Sequence, residues 1–81
     1  MLQKIALPRY SSVITLRLLV GEKVYPLAQI GPEMVILKTA AAIPPGPGTV
    51  VMVVDDEDER RWDVIVLESS ESSDIVRTRP A

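Results

Sequence analysis

The densest run of chemistry-bearing side chains is Asp55-Asp56-Glu57-Asp58-Glu59, an unbroken row of carboxylates followed at once by Arg60-Arg61-Trp62. Clustered carboxylates are what a hard cation such as Ca²⁺ requires. The EF-hand spacing is absent, because there is no glycine at the bend and no glutamate at the later ligand position. The run reads better as a solvated turn whose charges guard an adjacent sticky strand against edge pairing. The two arginines beside an indole could present a guanidinium next to an aromatic face, as phosphate sites do. Strand alternation opposes this: Arg61 and Trp62 fall on opposite faces, and Arg60, on the side of Trp62, sits beside the acids. Neutralisation of neighbouring charge is the simpler role for both arginines.

Three other groupings are weaker. Ser69-Ser70 and Ser72-Ser73 offer hydroxyls, but a serine nucleophile needs a base and no lysine lies near in sequence. Arg9, Arg77 and Arg79 could gather into an anion-binding patch if the two ends of the chain meet, and solvated positions are the alternative. Gly46 and Gly48 would cradle a phosphate only if a helix opened directly after them, whereas the next residues, Thr49-Val50-Val51-Met52-Val53-Val54, read as a strand. With neither histidine nor cysteine in 81 residues, Cys/His zinc sites, thiol nucleophiles, histidine acid–base catalysis and disulfide scaffolds are excluded by inventory. No catalytic, cofactor-binding or metal-ligating residue is expected.

The elements that must carry these residues are strands. Val13 to Val20 alternates, with Ile14, Leu16, Leu18 and Val20 on one face and Arg17 on the other. Gly21-Glu22-Lys23 reads as a tight turn into Val24 to Ile30, where Pro26 predicts an edge position or a bulge. Gly31-Pro32 ends that strand and Glu33 to Lys38 forms the next. The two segments Met34-Val35-Ile36-Leu37 and Val50 to Val54 are apolar on both faces, which marks them as centrally placed strands. Between them, Thr39 to Ile43 is too short for more than a helical turn, and Pro44-Pro45-Gly46-Pro47-Gly48 reads as a stiff loop. Arg60 to Leu67 alternates again, placing Trp62, Val64 and Val66 inward with Trp62 as the main aromatic core residue. Residues 1–12 read as a lead-in broken at Pro8, residues 13–68 as the β domain, and residues 69–81 as a polar, flexible tail with Ile75-Val76 as its one strand-like pair. The fold class expected is all-β: five to six antiparallel strands in a meander curled into a small barrel, or a two-layer sandwich.

The features from Ala28 to Leu67 occur in an order that resembles PilZ-like domains. An apolar strand follows a turn, Ile43-Pro44-Pro45-Gly46-Pro47-Gly48-Thr49 connects it to an aliphatic strand, and a polar tip leads to another alternating strand. The resemblance implies a six-stranded barrel. It does not extend to the cyclic-dinucleotide ligand of that family, since the Arg-x-x-x-Arg and Asp/Asn-x-Ser-x-x-Gly stretches are absent; Gln29-Ile30-Gly31-Pro32-Glu33-Met34 stands where the second would fall and matches none of its key positions.

Charge bounds the partners. The net charge is −2, and residues 41–81 hold most of the acids, which argues against general nucleic-acid binding. Lys4, Arg9 and Arg17 interrupt the apolar residues before a signal-peptide core could form, and the uncharged stretch 39–54 is broken by prolines and glycines. A cytoplasmic chain with no membrane partner is the expectation. Surplus aliphatic surface points to a non-catalytic module that contacts another protein or a second copy of itself. The alternative is a ligand-sensing domain that takes a phosphorylated small molecule or nucleotide through Arg9, Arg77 and Arg79.

Overall fold

Branched aliphatics spaced by two, with turn residues between the runs, give six strands in a computed structural model that describes residues 13–81. They are β1 (Ile14–Val20), β2 (Lys23–Ile30), β3 (Met34–Leu37), β4 (Gly46–Val54), β5 (Asp58–Glu68) and β6 (Ile75–Pro80). The all-β expectation holds, and the sheet is a closed antiparallel barrel in the order β1-β2-β3-β6-β5-β4. The lead-in expected over residues 1–12 lies outside the described residues.

The connectivity is not a simple meander. Strands β1 to β3 form one meander and β4 to β6 another, and β4 pairs back onto β1 while β6 closes onto β3. The doubly apolar segments expected at the centre, β3 and β4, are therefore on opposite sides of the ring. The connection between them, residues 38–45, crosses one end of the barrel and drops Ile43 into the core at 3% exposure. Ser69 fastens this plug: its hydroxyl accepts from the Ile43 N–H and donates to the Ile43 carbonyl, the latter over 3.1 Å. Around it lie Leu18, Leu27, Val35, Leu37, Val50, Val64, Val66 and Val76. A barrel with this few strands is filled by such side chains and leaves no channel.

Local chemistry explains the turns. Val20 pairs with Lys23, so the β1–β2 loop is Gly21-Glu22, with φ of 60° at Gly21 as a turn with a glycine in its first central position demands. Pro26 falls within β2 although no neighbour is missing there. Its carbonyl accepts from Lys38 N–H, so its nitrogen faces β3 too, just past the end of that strand at Leu37, and no ladder bond is lost. A register shift between Leu27 and Gln29 supplies the anticipated bulge one step later.

Two expectations are corrected. Most of the supposed stiff loop is strand: of Pro44 to Gly48, Gly46, Pro47 and Gly48 pair with Val66, Ile65 and Val64. Pro47 is tolerated because β4 gains its second partner, β1, only from Thr49 onward. The stretch 69–81, expected as a flexible tail, contains β6, which pairs on both sides and buries Val76 and Thr78 while Arg77 and Arg79 alternate outward. Val76 and Thr78 are spaced by two and β-branched, which is enough for a strand once β3 and β5 offer two edges.

Candidate functional site

The barrel is closed over only part of its length. Strands of nine and eleven residues, β4 and β5, rise about 3.4 Å per residue and outrun their neighbours. β1 meets β2 first at Leu16, and β5 meets β6 first at Val64 opposite Pro80. Beyond those points the chain continues as a three-stranded extension with the rows Leu16–Met52–Arg60 and Ile14–Val54–Asp58 on the face continuous with the barrel interior. One open margin of this extension is residues 58–62 of β5, which have β4 as a neighbour and nothing from β6; the Asp63 carbonyl still accepts from the Ala81 N–H at 3.2 Å.

This open margin corrects the role expected for Trp62. It shares the row Leu18–Val50–Trp62, so it points inward as the alternation requires, yet it is 39% exposed because β6 ends before reaching it. Trp62 forms a wall at the mouth of the barrel instead of filling its centre. With Ile30, Gly31, Pro32, Val50 and Pro80 it lines a recess of about 240 Å³ whose floor includes Val35, Val64 and Thr78. Thr78, at 3% exposure, is the one buried polar residue among the described residues. Ile14, 56% exposed, stands further out on the same face.

The charged residues are placed along this margin and its tip. Asp55 and Asp56 carry the turn with φ of 54° and 59°, a left-handed pair that aspartate tolerates better than most side chains. The Asp55 carboxylate accepts from Val13 N–H at 2.9 Å, and its own N–H donates to the Val13 carbonyl at 2.8 Å, tying the tip to the start of β1. Arg60 pairs with Asp58 at 3.8 Å and Arg61 with Glu59 at 2.6 Å, each two residues apart along one face. Both arginines therefore neutralise neighbouring acids, and a charged β5 edge resists pairing with another strand. Among the described residues no group of three or more His, Cys, Asp or Glu is placed to hold a metal ion.

Opposite the interior face, Arg17–Val51–Arg61 forms a row in which Val51 is fully buried outside the main core. The Arg17 Nε is itself buried with no hydrogen-bond partner among the described residues. Long arginine stems are suited to cover such a valine while their heads reach for water.

The anion patch is not assembled by the described residues. Arg77 and Arg79 share the outer face of β6, whereas Arg9 lies outside the described residues. Arg77 borders a shallow depression with Ser69, Ser70, Ser73 and the carboxylate of Glu68. Its serines are occupied: Ser69 holds Ile43, Ser70 and Ser72 hydrogen-bond each other, and Ser73 accepts from Ile75 N–H. The serine cluster is a structural loop. The surface that sequence reasoning missed is the mouth with Trp62, and its signal was the unequal length of the alternating runs.

The fold and this surface define a six-stranded antiparallel β-barrel with one end left open. Comparison with known proteins finds no matching family model, no similar curated protein and no similar solved structure.

Proposed function

We propose that the chain is a non-catalytic protein-interaction domain whose working surface is the open end of the barrel. The observation that carries this reading is the position of Trp62 and Ile14: large apolar side chains held exposed on a face continuous with the core, beside a recess lined by Ile30, Pro32 and Pro80. Rigid aromatic side chains beside a pocket are what protein interfaces use as anchors. The likeness to PilZ domains is, in this reading, one of barrel shape, and no cyclic dinucleotide is proposed as a ligand.

Sedimentation velocity of the chain, from dilute solution to the highest attainable concentration, tests the reading. The expected result is weak self-association through this face, favoured by added salt and removed by Ile14→Ser. A strictly monomeric chain at every concentration would count against it.

A further inference from the structure

Resting on that reading, we infer that the preferred partner for the open end is a cationic amphipathic segment of another protein, a second copy of this chain being a weak substitute that needs added salt to approach. The apolar part of the surface is the strip Ile14, Met52, Val54 and Trp62, bordered on the same face by the Asp58–Arg60 pair and leading into the recess. What surrounds the strip is negative. At the tip and on the strip's own face stand Asp55, Asp56, Glu57 and Asp58 against Arg60, which is paired with Asp58; Glu59, Arg61 and Asp63 alternate to the opposite face. Asp56 and Glu57 at the tip make no ion pair among the described residues. Asp55 spends its carboxylate on a neutral donor, the Val13 N–H, and on no cation among the described residues. Glu33 adds a further exposed acid on the turn across the recess.

Two copies that met through this face would bring two acidic surfaces together, and like charges at an interface cost affinity and slow the encounter. A segment with aliphatic side chains on one side and lysine or arginine on the other would bury the strip and neutralise the rim in one step. Such a segment need not add a strand, because the free β5 edge is the part of the surface most heavily charged. Its apolar side chains would enter the recess past Trp62, leaving its cations toward Asp56, Glu57 and Glu33.

Trp62 is the sole tryptophan, so intrinsic fluorescence of the full chain reads this surface directly. A short synthetic peptide of alternating leucine and lysine is titrated against the protein, with a leucine and glutamate peptide as the control. The expected result is a saturable blue shift with the lysine peptide alone, weakening as salt is added. Asp56→Lys combined with Glu57→Lys, both exposed, should lower the affinity about tenfold and flatten the salt dependence. Ile14→Ser should lower affinity and leave the salt dependence unchanged. No saturable shift with the lysine peptide, or equal shifts with both peptides, would overturn the inference. A blue shift that grows with protein concentration at low salt in the absence of peptide would overturn it in favour of a second copy, while leaving the interaction reading in place.

Discussion

Individual residues carry definite loads in this barrel. Gly48 is needed for close approach and not for a left-handed turn: a Cβ there would stand 3.1 Å from the Leu19 carbonyl and 3.3 Å from Leu18 and Val20 side-chain carbons. Gly48→Ala should therefore cost about 1–3 kcal/mol in urea denaturation, the usual range for an overpacked site. Gly21→Ala meets no atom but must hold φ of 60°, so its cost should fall near the ~1 kcal/mol of a left-handed alanine. The tip offers the opposite sign. Asp56 already holds φ of 59°, and Asp56→Gly should leave stability unchanged or raise it by roughly 0.5 kcal/mol, since Asp-Gly is the preferred pair for such turns. Asp55→Ala should lose about 1 kcal/mol through the orphaned Val13 N–H, and Asp55→Asn should recover most of it.

At the level of elements, the Ile43 plug and the loop that fastens it form one unit. Ile43→Ala should destabilise by about 2–4 kcal/mol through the cavity left at the barrel end. Ser69→Ala should cost about 1–2 kcal/mol by stranding the part-buried Ile43 N–H, and the double variant should cost less than the two together in a denaturation cycle. Replacing Asp58 and Arg60 together by valine keeps the net charge and removes a charged pair from the open β5 margin; light scattering should then show edge-driven association absent from the parent chain. Much of this element structure is legible in the sequence, because period-two alternation in 14–20 and 60–67 and the turn chemistry at Gly21 and Asp55-Asp56 are local signals. Two things escaped for a common reason. Strand β6 is charged or capped at half its positions, and Trp62 sits on the correct face, but the pairing of one and the exposure of the other depend on where neighbouring strands stop, which no local pattern records. Ile43 was hidden similarly, since a single aliphatic residue before a double proline has no periodicity to display. Of the anion patch drawn through Arg9, Arg77 and Arg79, the strand puts Arg77 and Arg79 outward, Arg77 beside Glu68 and the structural serines, while Arg9 lies outside the described residues.

At the scale of the whole molecule, closure depends on pairings between distant parts of the chain: β1 with β4 and β3 with β6. Topologies rich in such non-local contacts fold slowly for their size, on the order of milliseconds to seconds. A chain ended at Asp74 loses β6, uncovers Val35 and Val66, and should show no cooperative thermal transition by circular dichroism, in contrast to the full chain. The crossing of residues 38–45 over the barrel end has an implication for synthesis. During translation the first three strands emerge as a sheet that has no second half to close against, and the β4–β5 hairpin adds to the far side of β1, still leaving β3 unpaired along one edge. Closure waits until β6 clears the ribosome and slots between β5, made just before it, and β3, made well before it. The nascent domain thus passes through a stage with two complementary open edges, so its yield in a cell should depend on how fast the last strand is delivered more than on the stability of the finished barrel.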